Sequence, residues 1–209
     1  MCERAFKLLS IAIILTLCAL TQCAGRNVSI NIIFTSDLNG QILPFESYGK
    51  LQGGLLKCAT AILEQRRKNP KTLLLDSGDA LTGTAETDVL DKSIVGDAMN
   101  WLGYDAYVPA ARDFDRGLRH LSETLKVFKP GLIAANLRSL AMRNPLPKVQ
   151  PYEIFEIDGV KIAVVGATNP ALPSRVRSEY LAGLEGQPTC KALARIMPSL
   201  RSAHADIHI

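Results

Sequence analysis

Three short acidic segments stand out as places where chemistry could be done: Ser36-Asp37-Leu38-Asn39-Gly40, Asp76-Ser77-Gly78-Asp79 and Arg112-Asp113-Phe114-Asp115. Each follows an apolar run of the kind that forms a buried strand, and open α/β sheets collect their ligands at the carboxyl ends of such strands. Oxygen donors gathered there suit a hard or borderline divalent cation, and two ions about 3.5–4 Å apart can clamp a phosphoryl group during hydrolysis. A plainer reading stands beside it, because Asp after a strand is often a turn former or a helix cap. The third segment also poses a puzzle. It is led into by Ala110 and Ala111 and opens with Arg112, two methyl groups and a fixed cation where a site would need ligands.

The elements that must position these segments follow from hydrophobic patterning. SINIIFTS and KTLLLD are continuous apolar runs, which imply burial on both faces and hence parallel strands under helices. Between them GGLLKCATAILEQRRK has apolar residues at helical spacing behind a pair of glycines. IVGDAMNWLG is a helix ending at Gly103, YDAYVP a short strand, RGLRHLSETLKVF a helix stopped by Pro130, and GLIAANL another strand. The segment from Arg138 to Pro151 reads as a loop. In YEIFEIDGVKIAVVGAT, Asp158-Gly159 is the two-residue turn of a β-hairpin. CKALARIMPSLRSAHA is a last helix interrupted by Pro198, and ADIHI begins one more strand. The class is α/β, built from βαβ units.

Composition sets the outer limits. The 209 residues are 47% hydrophobic and 21% charged, enough apolar matter for one domain with a real core and too much for disorder. A formal charge of +4 is spread along the chain in no basic run, so nothing electrostatic points to nucleic acid as a partner. Residues 1–23 combine Arg4 and Lys7 with an apolar run from Leu8 to Leu20, the pattern of an export signal and too short for a comfortable membrane span. Leu20-Thr21-Gln22-Cys23 is similar to a bacterial lipobox, in which Cys23 would be acylated; Gln22 departs from that pattern, and plain cleavage after Cys23 is the other reading. We therefore expect an exported protein of the periplasm or cell envelope, with residues 24–209 as its domain. Cys58 and Cys190 are too few for a disulfide framework, and Cys58 sits among Leu55, Leu56 and Ile62 as a small buried hydrophobe would.

Taken in order, six blocks resemble the N-terminal half of the calcineurin-like metallophosphoesterases, in the 5'-nucleotidase branch. They are Thr35 to Gly40, the Gly53-Gly54 helix start, LLLDSGD, Met99 to Ala106, Ala135-Asn136-Leu137 and the DGVKIAVVGAT hairpin. The resemblance implies an αββα sandwich of two sheets, of which this chain would supply the first and only the start of the second. It also answers the puzzle. The family's third block looks like G-N-H-E-F-D-x-G, and Ala110 to Gly117 lies in its place. Ala111 then stands where an Asn would bind the second metal, and Arg112 where a His would steady the transition state.

The first block looks like T-N-D-x-H-G, so Asn39 replaces a histidine ligand; its amide oxygen suits Mg²⁺ or Ca²⁺ better than zinc-like ions. Of the family's ligand set Asp37 and Asp79 remain, with Asn39 as a third. His204 and His208 read as structural or surface residues. No cofactor is expected; if there is one, it is a weakly bound divalent ion such as Mn, Zn, Mg or Ca. Two placements of Arg112 stay open, one in which its guanidinium neutralises Asp37 and Asp79 where metals would otherwise sit, the other in which it points to solvent. The functional expectation is an exported, catalytically degenerate member. The alternatives are a metal-dependent phosphomonoester or nucleotide hydrolase completed by a partner chain, and a non-catalytic module that binds phosphate or a partner. An incomplete second sheet would expose an apolar face and invite self-association or a partner chain.

Overall fold

The computed structural model describes residues 27–89, 94–140, 146 and 149–209. The export-signal segment, Cys23 included, lies outside them, as does much of the segment from Arg138 to Pro151. Strand β1 (Asn31–Thr35) pairs in parallel with β4 (Thr72–Asp76), which pairs with β5 (Ala106–Tyr107), and β5 with β6 (Gly131–Leu132), giving a four-stranded parallel sheet. The crossovers are helices, α1 (Leu55–Lys68) between β1 and β4, α2 (Ala85–Val89) and α3 (Ile94–Leu102) before β5, and α4 (Gly117–Lys126) before β6. Their apolar stripes, Leu55 and Ile62, Val95 and Met99, Leu118, Leu121 and Leu125, bury one face of the sheet in the main core. Cys58 lies half-buried at the edge of that core as a free thiol, and Cys190 is free and exposed.

The other face of the sheet meets a second one. The hairpin β8 (Tyr152–Ile157) and β9 (Val160–Val165) turns at Asp158-Gly159, both at positive φ (53° and 81°), as its two-residue loop requires. On the far side of β9 lies β11 (Ile207–His208), in parallel. Leu73, Ala106, Val108 and Ile133 of the first sheet pack on Ile162 and Val164 of the second. Helix α7 (Thr189–Ser202) covers the second sheet from outside, through Ile196 and Leu200 against Ala163. The layers are thus helices, sheet, sheet, helix.

Several local expectations change. Helix α7 runs straight through Pro198. The stripe Ala192, Ile196 and Leu200 remains packed along its length, which outweighs the one helical bond that proline removes. Continuous apolarity in SINIIFTS suggested burial on both faces, yet β1 is a sheet edge and Phe34 is 72% exposed, because the second sheet does not reach it. The segment from Arg138 contributes a strand, β7 (Leu137–Ser139), paired antiparallel with β10 (Leu184–Gly186) beyond the short helices α5 (Leu172–Arg175) and α6 (Ser178–Leu181). A small hairpin, β2 (Phe45–Ser47) and β3 (Lys50–Gln52), turns at Tyr48-Gly49 with positive φ at both residues.

Asn136, wholly buried, ties three segments together. Its Nδ2 donates to Thr168 O (2.8 Å) and Gln187 O (3.0 Å), and its Oδ1 accepts from Thr168 N (2.8 Å). Asn136→Ala strands three backbone groups, two of them buried, and should cost about 3 kcal/mol in urea unfolding.

Candidate functional site

The three acidic segments do meet, at the carboxyl ends of β1, β4 and β5. Beyond the strands, the first two loops continue the parallel ladder: Ser77 N donates to Thr35 O (3.0 Å), Asp37 N to Gly78 O (3.0 Å), Asn39 N to Asp79 O (2.8 Å) and Gly40 N to Ala80 O (2.9 Å). Asp37, Asn39 and Asp79 all adopt left-handed backbone (φ 55°, 50° and 56°), a conformation that Asp and Asn tolerate better than other side-chain-bearing residues. Gly78 is needed for contact with the third loop. At φ 95°, a Cβ there would lie 2.3 Å from Val108 O and 2.5 Å from Ala110 Cβ.

The third loop, a 3-10 turn over Ala111–Phe114, is held by Asp113. This carboxylate is 1% exposed and accepts four backbone N–H groups: Ala110 (2.9 Å) and Asp79 (3.1 Å) at Oδ2, Ala80 and Leu81 (both 3.1 Å) at Oδ1. Burial pushes its pKa up, and the donors at Ala110 and Leu81 pull it back. Asp76 also turns inward. Its Oδ2 accepts from Thr35 Oγ1 (2.5 Å), which is itself hydrogen-bonded to the Tyr104 hydroxyl (2.9 Å), and its Oδ1 accepts from Gly78 N (2.8 Å). Burial, opposed by those bonds, raises its pKa to about 7. Two of the carboxylates that looked like candidate ligands are therefore internal struts. Sequence alone hid this, although the apolar residues that bracket Asp113, Ala110 and Phe114, were a usable sign of burial.

Asp37, Asn39 and Asp79 remain at the surface of the site. Asp37 accepts from the Ser36 hydroxyl, and Asp79 Oδ1 accepts from the backbone N–H of Arg112 (2.7 Å). Asn39 Nδ2 donates to Asp37 O (2.8 Å), whereas its Oδ1 is buried with no hydrogen-bond partner. Of the two placements of Arg112, the ion pair with Asp37 and Asp79 does not form. The side chain is exposed, Nη1 lies 3.5 Å from where a Cβ on Gly83 would sit, and the carboxylate of Asp79 takes the arginine's main chain instead. His204 and His208 lie exposed, far along the chain beside α7 and on β11.

An orphaned amide oxygen at Asn39 is what a cation ligand looks like before its ion arrives. The rest of the donor set does not fit a pair of ions. Ala111 offers a methyl group, Asp113 is consumed by backbone donors, and among the described residues no group of three or more His, Cys, Asp or Glu side chains is arranged to hold a metal.

Comparison with known proteins bears on what this arrangement descends from. No family model matches the chain. It is 30% identical over 173 residues to the 5'-nucleotidase of Bos taurus, covering 77% of this chain and 30% of the bovine protein. To the 5'-nucleotidase of Vibrio cholerae it is 28% identical over 182 residues, 85% of this chain and 32% of that protein. The chain belongs to the 5'-nucleotidase family of metallophosphoesterases, matching its N-terminal part. It spans about a third of the length of these curated relatives. Solved structures agree on the fold: a putative 5'-nucleotidase of Staphylococcus aureus superposes with TM-score 0.75 at 24% identity, over 86% of this chain and 36% of that one. The calcineurin-like phosphoesterase YfkN of Bacillus subtilis gives 0.73 at 23%, over 86% and 60%.

Two tests follow for this 5'-nucleotidase-like site. Asp113→Ala, which strands four N–H groups, should cost about 3–5 kcal/mol, whereas Arg112→Ala should stay within about 0.5 kcal/mol in the same urea titrations. For Asp76 the folded pKa, about 7, lies above the ordinary value of 3.8. Its contribution to stability is therefore full below pH 4 and falls as pH rises to 7, by on the order of 4 kcal/mol. Asp76→Asn removes the charge, keeps an acceptor for Gly78 N and turns the Thr35 contact round, with the amide donating to Thr35 Oγ1 as a protonated carboxyl would. It should melt higher than the parent at pH 8, with the difference closing below pH 4.

Proposed function

We propose that this chain is an exported, catalytically degenerate 5'-nucleotidase-like domain that acts by binding phosphate or a partner rather than by hydrolysis. The observation that carries it is Ala111. In a two-metal phosphoesterase the ions supply the nucleophilic hydroxide and neutralise the developing phosphoryl charge, and a methyl group at a ligand position withdraws one of them. The exposed guanidinium of Arg112 adds a phosphate-sized cation at the same place but no proton-transfer group, since it does not release its proton near neutral pH. Export is supported by the charged and apolar pattern of residues 1–23, with Cys23 as the lipid-attachment point if the segment is processed as a lipoprotein. Among the described residues, no helix is long and apolar enough to cross a membrane.

A second reading has the orphaned Asn39 Oδ1 behind it: one hard cation shared by Asp37, Asn39 and Asp79, with no second ion beside it.

The purified chain offered Mn²⁺, Zn²⁺, Mg²⁺ and Ca²⁺ in turn should leave AMP and a generic phosphomonoester untouched. Stoichiometric Mg²⁺ or Ca²⁺ in calorimetry without turnover would select the single-ion reading. Turnover that disappears on Asp79→Ala would overturn degeneracy altogether and place the missing ligands on residues outside these three loops.

A further inference from the structure

Arg66, in the last turn of α1, donates through Nη1 to Leu102 O and through Nη2 to Gly103 O (2.7 Å), so the end of α1 abuts the end of α3. Asn100 joins α3 in turn to the chain after α4: its Nδ2 donates to Val127 O (3.0 Å) and its Oδ1 accepts from Lys129 N (2.7 Å). Three helix C-termini thereby meet at one corner. In a parallel βαβ block each crossover helix runs back against its strands, so this corner lies at the amino end of the first sheet, opposite the strand-end loops. The chain enters β1 at the same end, where Asn69 Nδ2, one residue past α1, donates to Ser29 O (3.3 Å).

The corner carries two apolar side chains that its own packing leaves out. Trp101 is 74% exposed and Val127 67%, whereas their chain neighbours Leu102 and Phe128 are buried. Arg67, Lys68 and Lys129 stand beside them, exposed and, among the described residues, without a carboxylate partner. The nearby acids are otherwise placed: Glu123 is held by Lys126, Asp105 accepts from Leu74 N (2.7 Å), and Glu64 and Asp97 stand one turn back along α1 and α3. A stable protein interface buries about 800 Å² on each partner, far more than two apolar side chains offer. A lipid surface needs less, because an indole settles at headgroup level while lysine and arginine meet the phosphates around it. The run of the chain points the same way. Residues 24–30 alone separate Cys23 from β1, a reach of about 25 Å at most, so an N-terminus held at a bilayer brings this corner against it.

We propose that the corner formed by Trp101, Val127, Arg67, Lys68 and Lys129 is a docking surface for an anionic phospholipid bilayer, with Trp101 inserted among the headgroups. The domain then stands with its strand-end loops turned away from the lipid and open to soluble ligands. This inference takes from the export reading only the presence of a bilayer. It holds or fails independently of the chemistry of those loops.

Trp101 is the single tryptophan of the chain, so its own fluorescence reports the contact. Vesicles of phosphatidylglycerol and phosphatidylcholine in equal amounts, added to the full chain, should shift its emission to shorter wavelength, and lipids brominated on the acyl chain near the headgroup should quench it. High salt should reverse most of the shift. With Lys68→Gln and Lys129→Gln together, the lipid concentration for the half-maximal shift should rise about twentyfold, since each basic residue near such a surface contributes about fivefold; unchanged circular dichroism serves as the control. Emission that stays unshifted and unquenched while the chain sediments with the vesicles would overturn the proposal and leave attachment at the N-terminus standing. An equal shift on phosphatidylcholine alone, or one indifferent to the double variant, would overturn it as well. So would a dimer in lipid-free sedimentation that dissociates on Trp101→Ser, because a second copy would then occupy the corner.

Discussion

Four backbone N–H groups converge on one buried carboxylate, and the strand-end region keeps its shape because of it. Asp113 takes the donors of Asp79, Ala80 and Leu81 from the loop after β4, and of Ala110 from its own loop. Without an acceptor those loops would bury unpaired backbone in the driest part of the sheet's carboxyl end. With it, two segments more than 30 residues apart become one rigid block, against which the loop after β1 lies through Gly78, Asp79 and Ala80. The requirement is for a charged or strongly polar acceptor of two oxygens at this point, whatever stands in neighbouring positions.

That separation between scaffold and donors explains how a site can persist in outline while its chemistry changes. The left-handed backbone at Asp37, Asn39 and Asp79 keeps three oxygen-bearing side chains in two strand-end loops that are laced together by main-chain bonds. The buried amide oxygen of Asn39 still lacks a partner. The third loop, in contrast, arrives with a methyl group and an exposed arginine whose Nη1 lies near Gly83. Shape is carried by Asp113, Gly78 and the ladder of main-chain bonds, and reactivity by residues that none of these constrain.

Much of the architecture was legible in the chain. Unbroken apolar runs announced parallel strands, helical spacing behind Gly53-Gly54 placed α1, and Asp158-Gly159 fixed the hairpin, because these signals act over a few residues. What stayed hidden depended on partners far away in sequence. Whether Asp76 and Asp113 face solvent or core is decided by Thr35 and by the backbone of residues 79–81, and the sequence around them records it only in the apolar Ala110 and Phe114 that bracket Asp113. Arg112 could be assigned to a position but not to a direction. Pro198 looked like a break because its cost is local, while the packing that overrides it comes from Ala163 and the second sheet.

The ladder between β1 and β4 also sets a schedule. Thr35 and Asp76 are separated by 41 residues, so the first strand cannot pair until α1 and the whole crossover have left the ribosome or been threaded into place. The β8–β9 hairpin, closed by two residues, needs only microseconds. In refolding this later-made local unit can therefore be ready before the first-made strand has found its neighbour. In that interval the alternate apolar residues of β1 remain uncovered, a slow, non-local step of the kind that chaperones serve.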